Sequence, residues 1–228
     1  MIKKTALNSE LIINSNAQEV TIALLEDKTL VELNSEKKDQ RFSVGDIYLG
    51  RVKKLIPSLN AAFVDVGHEK DAFLHYLDLA PQVQSLLKLI KGTTTGKRPD
   101  ASLAEFQNEK DIDKGGKITQ VLTNNQWVLV QVAKEPISTK GPRITSEISL
   151  AGRYVVLVPF YDTVSISQKI KSAEERQRLK RLTQSIKPKN FGVIVRTVAE
   201  GKKVADLDKD IQELVTKWKG AIEQLGTL

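Results

Sequence analysis

Cysteine is absent from the 228 residues, so neither disulfides nor thiolate-held zinc can support the fold, and a cytoplasmic setting is expected. Histidine is nearly absent as well. His68 and His75 are the two in the sequence, and neither has a partner at metal-ligand spacing. No Ser/His/Asp or Cys/His constellation and no Gly-rich phosphate loop can be found, so no catalytic residue and no metal site is expected within this chain. No apolar run approaches the ~20 residues that a membrane-spanning helix needs. The opening stretch MIKKTALNSELIINSN lacks the apolar core and small-residue cleavage site of a secretion signal.

What the chain does have is basic charge, unevenly placed. Lys and Arg number 35 against 28 Asp and Glu, a net charge of +7. Between Lys169 and Lys189 lie eight basic residues, with only Glu174 and Glu175 to offset them. Such a cluster suits a surface that meets phosphate. A solvated helix face is the alternative.

The stretch AAFVDVGHEKDAFLH, Ala61 to His75, reads as two short strands joined by a polar turn. Alternate side chains of a strand point to opposite faces. Ala62, Val64 and Val66 form one face of the first strand, and Ala72 and Leu74 the apolar face of the second. Phe63 and Phe73 are then offered outward on neighbouring strands, with His75 on the same side as Phe73. A pair of aromatic rings on a basic sheet surface suits single-stranded RNA, since every base has a π-face to stack. Packing of both rings beneath a neighbouring loop is the alternative.

Around this centre, Glu19–Leu25 and Thr29–Leu33 read as a hairpin, and residues 34–41 as a linker. Further strands are expected at Ile47–Leu55, Ala61–Val66, Ala72–His75 and Trp127–Ala133. A short helix at Val83–Leu89 and a mobile loop at Lys91–Ser102 form an insertion near 80–117. Trp127 is expected to pack against it. Beyond Arg143, Tyr154–Val158 and Gly192–Arg196 read as buried strands. Ser172 and Glu175 have capping-box spacing ahead of a helix with a Leu179, Leu182 and Ile186 stripe. The last helix carries a longer stripe, Leu207 to Leu225, which must dock on its own core or on a second copy. The fold class is α+β, mainly β, with curved short strands and an insertion before a late strand in the manner of an OB-fold barrel.

The sequence resembles the S1 RNA-binding motif at Gly50-Arg51-Val52, at Ala62-Phe63-Val64-Asp65-Val66-Gly67 and at Ala72-Phe73-Leu74-His75. More widely, IYLGRVKKLIPSLNAAFVDVGHEKDAFL, VQVAKEPISTKGPRITSEISLAGRYVVLVP and GVIVRT occur in the order in which the ribonuclease E/G family carries them. The resemblance implies that residues 1–41 are the first segment of a split RNase-H-like domain. Residues 42–142 would be an S1-type OB-fold, and 143–228 an α/β sensor of the RNA 5′ end. It implies an endoribonuclease that cleaves single-stranded RNA in ribosomal RNA processing and messenger decay. Magnesium in the full enzyme would be held by a catalytic domain expected beyond Leu228. The full enzyme is expected to be a homo-oligomer, and the 228 residues a monomer.

The resemblance assigns Phe63 and Phe73 to base stacking and places Lys140 beside them. Lys134 and His75 are further candidates for that surface. It assigns Arg196, Thr197, Gly152 and Val156 to a pocket for a 5′-monophosphate. The chemistry is sound, because a guanidinium forks onto phosphate oxygens while a hydroxyl takes another. An arginine–carboxylate pair with Glu200 or Asp206 is the alternative for Arg196. Asp206, Asp208 and Asp210 are read as complementing the positive end of the last helix rather than as metal ligands. Where many family members carry two adjacent arginines, this chain has Gln168-Lys169. Two other functions stay open: a non-catalytic single-stranded RNA-binding protein, such as a ribosome-associated factor, and a protein-binding module whose phenylalanines are core.

Overall fold

The computed structural model describes residues 8–37, 41–95 and 101–226. Contacts divide the chain into two units, residues 1–43 and 44–228. In the first, β1 (Ser9–Ser15), β2 (Glu19–Glu26) and β3 (Thr29–Lys37) form an antiparallel meander. Asp27 and Lys28 join β2 to β3, both with positive φ (47° and 66°), as a two-residue hairpin turn requires. β1 has no counterpart in the sequence reading. Its Leu11-Ile12-Ile13 run does not alternate, and all three residues stay more than half exposed.

The second unit is built on a closed five-stranded barrel, β4-β5-β6-β8-β7. The strands are β4 (Ile47–Ile56), β5 (Ala61–Asp65), β6 (Ala72–His75), β7 (Trp127–Lys134) and β8 (Arg143–Thr145). Val52, Ala62, Val64, Ala72, Leu74, Val128, Val130 and Ile144 fill its interior, each wholly buried. The inward phase is the one that the alternation of Ala61–His75 predicts. β8 closes the ring in only three residues, too short a run for its alternation to stand out.

Between β6 and β7 run α1 (Val83–Thr94) and α2 (Ile118–Val121). α1 is longer than Val83–Leu89 and takes in the start of the expected loop. In the added turn the Thr93 and Thr94 hydroxyls each donate to the carbonyl one turn back, Leu89 and Ile90. Residues 96–100 of that loop lie outside the described residues.

The rest of the unit is a four-stranded sheet, β11-β12-β10-β9, made by β9 (Leu150–Ala151), β10 (Val155–Pro159), β11 (Val164–Ile166) and β12 (Phe191–Val195), with α3 (Ala173–Ile186) and α4 (Val204–Leu225). β10 and β12 are antiparallel and β11 and β12 parallel, with α3 as the crossover. Ser172 caps α3 by accepting the Glu175 amide hydrogen. Leu207, Ile211, Leu214, Trp218 and Ile222 on α4 enter one core with Leu157, Phe191 and Val193. Trp218 stands edge-on to both Phe160 and Phe191, with ring centroids 6.2 Å apart in each pair. Its indole N–H donates to the Ala101 carbonyl. The α4 stripe is thus satisfied within the chain, so docking on a second copy is not needed to bury it.

Candidate nucleic-acid interface

One row of outward side chains runs round the barrel. Lys134 on β7 lies opposite Arg143 on β8, Arg143 opposite Phe73 on β6, Phe73 opposite Phe63 on β5, and Phe63 opposite Lys54 on β4. Residues directly opposite in a ladder share a face. The structure therefore brings Phe63, Phe73 and Lys134 into one basic–aromatic band and adds Lys54 and Arg143. The phenylalanines are half-buried, with ring centroids 5.9 Å apart and planes inclined at 66°. His75 stands 6.5 Å from Phe73, and its Nδ1 accepts the Leu77 amide hydrogen at 3.1 Å. It is a ring at the edge of the pair that also caps a turn.

Lys140 is exposed in the loop between β7 and β8. The loop lies tight against the start of β6: a Cβ on Gly141 would run into the Asp71 carbonyl and meet that of Lys70 at 2.8 Å. Only a residue without a side chain allows that approach. The Phe73 amide then donates to the Pro142 carbonyl at 2.9 Å, which sets Lys140 two residues from a backbone partner of Phe73.

Carboxylates on this surface are answered. Lys53 reaches Asp71 at 2.8 Å and Asp65 at 3.4 Å. The Gly67 amide, assisted by Lys53, holds the Asp65 carboxyl below the usual range. Asp78 takes both prongs of the Arg143 guanidinium at 2.9 Å. Sequence reasoning missed Arg143 because its face depends on β8, and it missed Lys54 because a bulge in β4 between Val52 and Lys54 shifts the alternation.

A second cluster forms where β12 ends. Arg196 follows the last strand residue, Val195; its amide donates to the Tyr154 carbonyl at 2.8 Å and its guanidinium to the Gly152 carbonyl at 2.6 Å. The charge pair with Glu200 or Asp206 does not form among the described contacts. Thr197 opens a 3-10 turn, with its hydroxyl 3.2 Å from that of Ser167 on the neighbouring segment. Because the strand stops at Val195, Arg196 and Thr197 need not point to opposite sides of a sheet. Val156 is half-buried on β10, opposite Ile194 and Ala151. Arg153 and Lys202 lie 5.3 and 5.8 Å from the Tyr154 ring, so this rim gathers Arg153, Arg196 and Lys202.

Asp210 anchors the rim, a role not foreseen for it. It is buried on α4, and its carboxylate accepts the amide hydrogens of Arg153, Tyr154 and Val155 at 3.1, 2.7 and 3.0 Å. Asp206 does act at the helix start, accepting the Lys203 amide hydrogen. No spacing signal separates the two, because the partner of Asp210 lies more than fifty residues upstream.

The basic run of 169–189 is partly structural. Arg178 forks onto Glu175 at 2.6 and 2.7 Å and also donates to the Lys202 carbonyl. Glu175 accepts the Gly201 amide hydrogen as well. The guanidinium and that amide together lower its carboxyl pKa to about 2. Arg176 donates to the Ser167 carbonyl, and Lys187 pairs with Asp162. Lys169, Lys171, Lys180 and Arg181 remain exposed. Trp127 does not bury itself in the insertion: it is 45% exposed, with the Arg51 guanidinium 5.8 Å from its ring centre.

Among the described residues no three His, Cys, Asp or Glu side chains converge as a metal site would need, and no helix is long and apolar enough to cross a membrane.

The model of the Ribonuclease E/G family matches residues 149–227, the sheet, helices and Arg196 rim just described. The chain is 35% identical over 94% of its length to ribonuclease G of Haemophilus influenzae. It is 34% identical over 96% to ribonuclease G of Escherichia coli, and 43% identical over 79% to ribonuclease E of a Nostoc species. It spans 40%, 41% and 22% of those three proteins. With similarity across both the barrel and the sheet and helices that follow it, the chain belongs to the ribonuclease E/G family.

Proposed function

We propose that this chain is the RNA-recognition part of an endoribonuclease that hydrolyses single-stranded RNA in RNA processing and decay in the cytoplasm. In this reading residues 1–41 begin a split RNase-H-like domain, 42–142 are an S1-type barrel, and 143–228 sense the RNA 5′ end. The full enzyme acts as a homo-oligomer. The observation that carries the reading is the band Lys54–Phe63–Phe73–Arg143–Lys134, two touching rings with basic residues on both flanks. Bases stack on Phe63 and Phe73, and Lys140 and Lys134 meet the phosphates, with His75 at the edge. At the other cluster the Arg196 guanidinium and Thr197 hydroxyl take a terminal monophosphate, and the 152–156 turn lines it.

Magnesium, which the family implies for the full enzyme, meets no set of ligands among the described residues, and no step of this account runs through it. The test is binding of one short RNA with and without a 5′-monophosphate. Preference for the phosphorylated form supports the reading, and equal affinity speaks against the sensing half of it.

A further inference from the structure

A groove of about 860 Å³ runs between α1 and the start of β7. Its walls combine the apolar Leu87 and Ile90 with Lys88, Lys91 and Lys110, and Trp127 stands at its edge. Among the described residues Glu109 is the single carboxylate on its lining, and it is already paired with Lys88 at 2.6 Å. An exposed indole, a guanidinium over its ring, and Lys91 and Lys110 beside the mutually paired Lys88 and Glu109 make a basic, aromatic groove.

The groove is joined to the phenylalanine pair. In β4, Val52 points into the barrel while Arg51, Lys53 and Lys54 point out. Arg51 lies opposite Trp127 on one side of the strand, and Lys54 opposite Phe63 on the other. Two strand spacings, roughly 10 Å, together with a short step along β4, separate the indole from the rings. Arg51 and Lys54 line the way, while Lys53 between them is taken up by Asp65 and Asp71. Counting the bases on the two rings, about four nucleotides cover that path, the lower end of the ~4–16 that a single OB-fold engages.

We propose that single-stranded RNA leaving Phe63 and Phe73 crosses β4 along Arg51 and Lys54 and stacks a further base on Trp127. Lys91 and Lys110 receive the phosphates beyond it. The inference rests on the RNA-binding reading above and extends it to a site two strands round the barrel. Charge selects the occupant, because a purely apolar peptide would leave four cations unanswered, whereas a polyanion answers them all.

The test uses 5′-hydroxyl oligouridylates of about 3 nucleotides, too short to reach from the phenylalanine pair to the indole, and of about 15, near the top of the range that one OB-fold covers, at fixed salt. Trp127→Ala is expected to weaken the longer oligomer about fivefold or more and to leave the shorter one unchanged. Trp127→Phe keeps most of the affinity. The longer oligomer quenches tryptophan emission in the wild type but not in Trp127→Phe, whose remaining Trp218 is buried. Phe63→Ala weakens both lengths. If Trp127→Ala binds both lengths as the wild type does while Phe63→Ala weakens them, the groove is overturned and the barrel face stands. Equal loss at both lengths on Trp127→Ala also overturns the extension. If neither variant changes binding, both the groove and the barrel face fall.

Discussion

A Cβ placed on Gly152 would lie 2.6 Å from both carboxylate oxygens of Asp210. The turn that carries Arg153 and accepts Arg196 is therefore moulded around one buried carboxylate. Asp210→Ala leaves three amide hydrogens without their acceptor, a loss of ~2–4 kcal/mol of stability, read from the urea midpoint. Asp208→Ala on the same helix is the control. Its one described bond, from Gln212, is 3.4 Å long, and the change should stay within ~0.5 kcal/mol.

Gly152→Ala reaches the same carboxylate from the other side. The new methyl forces Asp210 off its three donors, so the variant destabilises the fold although it deletes no side-chain atom. It is also expected to displace the Gly152 carbonyl from the Arg196 guanidinium and to reduce any 5′-phosphate preference. Denaturant unfolding and RNA binding measured on one preparation check both effects.

Glu175 clamps α3 to the loop at Gly201 through Arg178 and the Gly201 amide. Its carboxyl lies at about 2 in the folded chain against a usual 4.5. A lowered carboxyl stabilises the fold above the unfolded value, and that contribution fades as pH falls from about 4.5 toward 2. Glu175→Gln should flatten this part of the pH dependence and lower stability at neutral pH. Thermal midpoints of both proteins across that window are the measurement.

Phe63 and Phe73 touch, so their contributions to RNA affinity should not add. Each alanine variant is expected to weaken a single-stranded RNA by about fivefold or more, and the double variant by less than the product. The salt dependence of binding should change little, since neither ring meets a phosphate. Anisotropy titrations at two salt concentrations test this.

Much of the barrel is legible in its residues, because Ala62, Val64, Ala72 and Leu74 alternate cleanly with Phe63, Phe73 and His75. That alternation gives both the strands and the outward phase of the rings. Local rules stop where long-range pairing decides. β8 is three residues long, and the band that includes Arg143 exists only once β8 lies between β6 and β7. Trp127 looked like a packing residue because its strand is apolar beyond it, yet it sits at the strand's outer end, where α1 leaves it open. Asp210 looked like a helix-start residue by spacing alone, and its partners lie far off in the chain. The stripe of α4 was plain in sequence, whereas its docking site was not.

The most direct measurement compares one short RNA bearing a 5′-monophosphate with its 5′-hydroxyl form, in the wild-type chain and in Arg196→Ala and Phe63→Ala. Tighter binding of the monophosphate, lost in Arg196→Ala but kept in Phe63→Ala despite weaker overall affinity, is the result this account predicts. Equal binding of the two RNAs by the wild-type chain would contradict the sensing role of Arg196 and Thr197, and absence of RNA binding would contradict the account as a whole.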